Sequence, residues 1–228
     1  MLLFFLFLLL LLVATVLCSF PHLNPSIAAS TSHSSTEARM EASKSEIQAW
    51  EYNSTDENEK LAHKYHPNRA IPLSHVHGLG ILTWKLDVDN WESDTELKNI
   101  RSDRGYKYSE VITVSREAMV DFDARVKGFF KEHMHSQEES RLILDGSGYW
   151  DIRDYDDKWI RFYVQKGDLV VLPPGMYHRF TLDTNDYIKA LLLFTENPVR
   201  TQHQRSDDSA ARKLYVEKYL LQQRVKAQ

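Results

Sequence analysis

A chain of 228 residues, 43% of them hydrophobic, is long enough to bury a core of its own and suits one domain of ordinary size with tails. Its 28 basic residues stand against 32 acidic ones, a net charge of −4 with no Lys/Arg block, which excludes the electrostatic footprint of a nucleic-acid partner. A small-molecule partner fits this balance.

Taken from the N-terminus, residues 1–19 read as a signal peptide or membrane anchor. Leu2 to Val13 is unbroken hydrocarbon, followed by small residues near Cys18 and Ser19. No Lys or Arg flanks the run on its N-terminal side, so an uncleaved anchor stands beside a cleaved leader. The segment points to the secretory pathway or a membrane. Cys18 is the only cysteine, so the body of the chain is free of disulfides in any compartment. Residues 20–45, rich in Ser, Ala and Thr, read as a flexible linker. Ordered sequence begins near Ile47-Gln48-Ala49-Trp50, inside a domain expected over 46–205.

Ser93 to Arg104 predicts a short helix, acidic early and basic late as the helix dipole favours, and Asp121 to Phe130 predicts a second. From Arg141 the texture changes. Leu142-Ile143-Leu144, Tyr149 to Arg153, Trp159 to Val164, Leu169 to Leu172, Tyr177 to Leu182 and Tyr187 to Phe194 are short β-rich runs. Asp145-Gly146-Ser147-Gly148, Asp154 to Asp157, Lys166-Gly167-Asp168, Pro173-Pro174-Gly175 and Asp183 to Asp186 punctuate them as turns. That rhythm predicts an antiparallel sandwich or barrel. Residues 206–228 predict a terminal helix and tail, with Leu214, Tyr215, Tyr219 and Leu220 as the apolar stripe.

The chemistry concentrates in His133-Met134-His135-Ser136-Gln137-Glu138-Glu139. In a helix, residues i and i+2 diverge by about 200°, so two such imidazoles could not share an ion; on a strand they face the same side, and Glu139 keeps that parity. Four extended residues would still leave Glu139 about 13 Å from His135, so a bend is required, and Ser136-Gln137 is the place for it. His178, after the Pro173-Pro174-Gly175 turn, reaches the same interior point if the barrel closes. Three imidazoles and one carboxylate suit Fe(II), Ni(II), Mn(II) or Zn(II) with positions left open, whereas a structural zinc site would more often use thiolates. A second His-X-His, His75-Val76-His77, has Ile81 in place of the carboxylate and no such turn pattern around it; surface or capping histidines are the reading there.

Six residues separate Glu139 from Gly146, five separate Gly167 from Pro173, and two separate Gly175 from His178. These spacings resemble the two cupin motifs, which implies a mainly β, cupin-type (jelly-roll) barrel with a few flanking α-helices. Leu144-Asp145-Gly146-Ser147-Gly148-Tyr149-Trp150-Asp151, Asp157-Lys158-Trp159-Ile160-Arg161 and Gly175-Met176-Tyr177-His178-Arg179-Phe180 resemble the acireductone dioxygenase family more narrowly, from about Ala49 to Arg205. The resemblance implies a monomeric enzyme of methionine salvage that cleaves 1,2-dihydroxy-3-keto-5-methylthiopentene with dioxygen. With Fe(2+) the products are 4-methylthio-2-oxobutanoate and formate; with Ni(2+) they are methylthiopropanoate, formate and carbon monoxide. It carries the four metal ligands onto His133, His135, Glu139 and His178, and a substrate-contacting arginine onto Arg141. It also implies the cytoplasm and nucleus, against the leader.

Three departures from the family stand out: Leu192 where an Arg is usual, Ser140 where Ile is usual, and Arg200 where Trp is usual. Loss of a cation at 192 would cost about one to three kcal/mol if it meets developing charge. The alternative function is therefore a catalytically impaired cupin paralogue kept as a binding or interaction module.

Overall fold

The computed structural model describes residues 47–222, so the expected leader (1–19), the expected linker (20–45) and residues 223–228 of the expected tail lie outside the described residues. Among the described residues no helix is long and apolar enough to cross a membrane. In chain order the elements are β1 (Ala49–Glu51), β2 (Ala70–Ile71), α1 (Leu73–Gly78), β3 (Leu82–Lys85), α2 (Thr95–Asp103), β4 (Tyr108–Val114) and α3 (Phe122–Phe129). Then follow β5 (Glu139–Arg153), β6 (Trp159–Gln165), β7 (Asp168–Leu172), β8 (His178–Leu182), β9 (Ile188–Phe194) and α4 (Ala210–Tyr215), which runs on as a π-helical turn over Val216–Leu220.

Strand β5 organises the rest. Glu139 to Gly146 pairs with β7 and β9, and Ser147 to Arg153 pairs with β6 and β8, all antiparallel. Two faces result, β4-β9-β5-β7-β3 and β2-β1-β6-β5-β8, joined by one continuous strand. The expected turn over Asp145 to Gly148 is thus not a turn. The register shifts between Ile143 and Asp145, and Gly146 takes φ +74° within the strand. A Cβ on Gly146 would lie 2.3 Å from the Tyr187 carbonyl oxygen, so glycine is used here for a bulge that bends the strand.

The inner core fills the space between the faces with Ile143, Trp150, Ile152, Phe162, Leu172, Ile188 and Leu192. A second cluster, with Leu142, Leu144, Leu169, Leu191 and Leu193, lies on the other side of the β9-β5-β7 face beneath Leu97 and Ile100 of α2. Neighbouring residues of β9 therefore enter different cores, and Ala190 to Phe194 is apolar because both faces of that stretch are covered. Helix α2 starts as its sequence suggests, with the Asp94 side chain accepting from the Leu97 amide at 2.6 Å.

Three local outcomes differ from, or refine, the sequence reading. Leu214 is 65% exposed, so the terminal helix packs through Tyr215 and partly through Tyr219 and Leu220. Strands β1 to β4 lie upstream of the Gly-punctuated region, where no comparable turn rhythm marks them in the sequence. His75 and His77 lie on α1, where they point apart: His75 packs on Tyr155, and His77 Nε2 bonds to Thr83 Oγ1 at 3.0 Å.

On the face of β5 turned away from the inner core, Asp151 joins three strands. Its carboxylate accepts from Arg161 Nε (2.6 Å) and Nη2 (2.9 Å) on β6 and from Arg179 Nε (2.7 Å) on β8. Arg161 also donates to the carbonyls of Glu59 (2.9 Å) and Leu61, holding the N-terminal segment over this face. Both Asp151 and Arg161 are fully buried. Asp151→Ala leaves two guanidinium groups uncompensated and should cost about 3–5 kcal/mol, measured by urea denaturation.

Candidate metal centre

His133 and Met134 are extended, each bridging a neighbour. His133 exchanges backbone bonds with His178 at the start of β8 (3.0 and 2.9 Å), and Met134 does so with His203 (3.1 and 2.9 Å). Extended parity turns His133 and His135 to one side, while Met134 is wholly buried on the other. The chain bends at Ser136 and Gln137, as the sequence required, and enters β5 at Glu139. Glu139 Oε2 then lies 3.3 Å from His135 Nε2 and 3.0 Å from His178 Nε2. Ring centroids of the three histidines are 4.6 to 5.5 Å apart. Glu138, of opposite parity, faces away and is held by Arg104 and Tyr106.

Each imidazole is anchored through Nδ1 to a backbone carbonyl: His133 to Lys131 (2.7 Å), His135 to Thr201 (2.9 Å) and His178 to Met176 (2.9 Å). This fixes the tautomer and leaves Nε2 as a lone-pair donor directed at the shared centre, the usual arrangement behind a metal ligand. Glu139 Oε2 and His178 Nε2 are buried and, although close, make no hydrogen bond with acceptable geometry. Two donors about 2.1 Å from one ion, on adjacent octahedral corners, stand about 3.0 Å apart. The separations here match ligands of a common ion better than partners of each other. His133, His135 and His178 offer ligand atoms within 4.8 Å of one another, so these residues fit a divalent metal.

The electrostatics agree. Burial, helped by the neighbouring His178, pushes His133 down to about 4 from an ordinary 6.5. Burial also lowers His135, against the pull of Glu139. Burial by itself would raise Glu139, but Arg141 and His178 together hold its carboxyl well below the usual range. Neutral imidazoles at His133 and His135 beside an ionised Glu139 are protonation states that metal coordination needs.

Arg141 sits beside this cluster, its Nη2 3.0 Å from Glu139 Oε1 and its Nη1 donating to the Ser140 carbonyl at 2.9 Å. All five sequence-predicted residues line one cavity of about 260 Å³. Its remaining wall is largely apolar, with Ile112, Val114, Ile143, Ile188 and Ala190 among the lining residues. Leu192 belongs to the inner core next to it. Sequence reasoning missed the contribution of the segment after β9. Residues 195–209 run over the ligand segment as a strap, Arg200 and Gln202 enter the cavity, and the Thr201 carbonyl orients His135. Nothing periodic marks that strap, so only contact in space reveals it.

A bent two-faced β-barrel with three inward histidines and a glutamate defines a cupin-type metal site. The fold is similar to that of a solved acireductone dioxygenase from Bacillus anthracis with a cadmium ion in its active centre. That match has a TM-score of 0.52 at 23% identity and covers 61% of this chain and 95% of that one. The ARD/ARD′ family model matches residues 48–202, and the chain belongs to that family. It is 49% identical over 175 residues to acireductone dioxygenase 2 of Oryza sativa subsp. indica, covering 76% of this chain and 88% of the relative. It is also 49% identical over 167 residues (73% and 92%) to a Sorghum bicolor protein named "Probable inactive acireductone dioxygenase 2".

The depressed His133 gives a signed pH prediction. Its folded value lies below its unfolded value, so the unfolded chain binds the proton more tightly. Its stabilising contribution is present above 6.5 and is lost as pH falls toward about 4; Glu139, also depressed, adds the same sign at lower pH. Urea denaturation of chelator-treated protein should show stability falling across that window, and His133→Gln should flatten the profile.

Proposed function

We propose that this protein is a metal-dependent acireductone dioxygenase. The metal would be held by His133, His135, Glu139 and His178, with Fe(2+) or alternatively Ni(2+) as the ion. One observation carries the reading: three anchored Nε2 atoms and one ionised carboxylate converge on the wall of a cavity that is otherwise mostly apolar. When bound, the ion supplies a Lewis-acidic, redox-capable centre with open positions for an enediol and its reaction with dioxygen.

The protein's own groups account for binding and orientation. The backbone carbonyls of Lys131, Thr201 and Met176 hold the imidazoles in one tautomer, so no ligand has to reorganise. Arg141 keeps Glu139 ionised and places a second charge-assisted donor set where an anionic enediolate would lie. Ile112, Val114, Ile143, Ile188 and Ala190 offer an apolar wall that suits a methylthioalkyl tail and limits water around the reacting carbons. The substrate plus dioxygen gives 4-methylthio-2-oxobutanoate and formate with iron, or methylthiopropanoate, formate and carbon monoxide with nickel; both sets balance. Residues 46–205 would form the catalytic unit, acting as a monomer.

The test couples elemental analysis to product identification. Purified protein should contain close to one transition-metal ion per chain and consume oxygen with an acireductone. His135→Ala should lose both the metal and at least a hundredfold in rate, about 2.7 kcal/mol of transition-state stabilisation. Metal retained by the unaltered protein with no oxygen uptake would sink this function and favour the binding module instead.

A further inference from the structure

Two guanidinium groups line the cavity, and they are held differently. Arg141 is mostly buried and committed to Glu139 and the Ser140 carbonyl. Arg200 arrives from the strap and pairs with Glu110 of β4, the two side chains 54% and 45% exposed.

Glu110, Leu192 and Arg141 stand opposite one another in register across β4, β9 and β5. Directly opposed residues share a face. Here it is the cavity face, since Ile112, Ala190 and Ile143 form the next row inward. Leu192, between the two charged positions, offers no donor. Arg200 reaches the cavity over this row from outside the sheet. Its placement is governed by its neighbours: the Val199 amide donates to Gln137 Oε1 at 3.0 Å, and the Thr201 carbonyl accepts from His135 Nδ1 at 2.9 Å. The strap is thus stitched to the metal-ligand segment on both sides of Arg200.

We propose that Arg200 is a substrate-binding residue of this cavity, the second cation presented to an anionic enediolate, with Glu110 as its resting partner. The inference deepens the function proposed above and rests on it. An exposed ion pair contributes little, because solvent screens it and two long side chains must be immobilised. Exchanging Glu110 for a bound anion therefore costs little. Once the ligand has displaced water, the new charge-assisted bond forms in a lower dielectric and is the stronger one. Arg141 is not free to make that exchange, because releasing Glu139 would strand a buried carboxylate. The cation missing from position 192 is thereby supplied from position 200, by a different piece of backbone entering the same space.

The discriminating experiment compares Arg200→Ala with Glu110→Gln. The probe is reductic acid, a stable cyclic enediol, titrated calorimetrically into nickel-loaded protein without oxygen, with metal content measured in parallel. Arg200→Ala should bind the probe about tenfold more weakly with its metal unchanged, the loss expected for one hydrogen bond to a charged group. Glu110→Gln releases Arg200 and should bind equally well or more tightly. Unchanged affinity in Arg200→Ala, metal loss in that variant, or equal weakening in Glu110→Gln would each overturn the proposal, the last because it makes the pair merely structural. In steady-state oxygen uptake Arg200→Ala should raise KM more than it lowers kcat. Absence of oxygen uptake by the unaltered protein would sink the dioxygenase reading while leaving the binding comparison readable.

Discussion

The bend in β5 at Gly146 is the constraint from which the site follows. Ile152, near one end of the strand, pairs with His178, and Glu139 begins the other end. Thirteen fully extended residues would separate those ends by about 43 Å. Yet Glu139 Oε2 lies 3.0 Å from His178 Nε2. The strand must turn from one face of the barrel to the other for this to happen, and the positive φ and the close Tyr187 carbonyl leave only glycine able to do it without strain. The bend that closes the barrel is also what brings Glu139 to His178.

The same strand carries two acidic groups that are treated in opposite ways. Asp151 is matched by two arginines in a dry layer and has its bonds made within the fold. Glu139 has one arginine, and its other oxygen is turned toward the Nε2 atoms of imidazoles whose Nδ1 atoms are held by backbone carbonyls. The first arrangement completes a structural network. The second leaves a buried electron-rich pocket that a divalent cation completes. This difference in partner supply, more than burial itself, separates Asp151 from Glu139.

The strap after β9 connects the histidine cluster to the outer edge of the cavity. Through Thr201, Gln202 and His203 it touches the ligand segment, and through Arg200 it reaches β4, so orientation of His135 and placement of the cavity's outer cation share one stretch of backbone. Arg200, which in the sequence reads only as a departure from the family, becomes intelligible beside Leu192. The two changed positions share one neighbour, Glu110, which stands in register with Leu192 and pairs with Arg200.

Much was readable from residue order alone. Local chemistry determined helix α2 with its acidic start and basic end, the extended parity of His133, His135 and Glu139, and the bend at Ser136 and Gln137, because each depends on a few adjacent residues and on the two-residue repeat of a strand. The tertiary structure alone decided that Asp145 to Gly148 bends a strand instead of ending it, since a glycine suits both and only the approach of Tyr187 chooses. It decided the exposure of Leu214, because the helical stripe is wider than the surface available to cover it. It also decided how each of the two cavity arginines is held. Arg141 and Arg200 are chemically identical, and their difference lies wholly in the partners that packing assigns them: a buried carboxylate for one, an exposed one for the other.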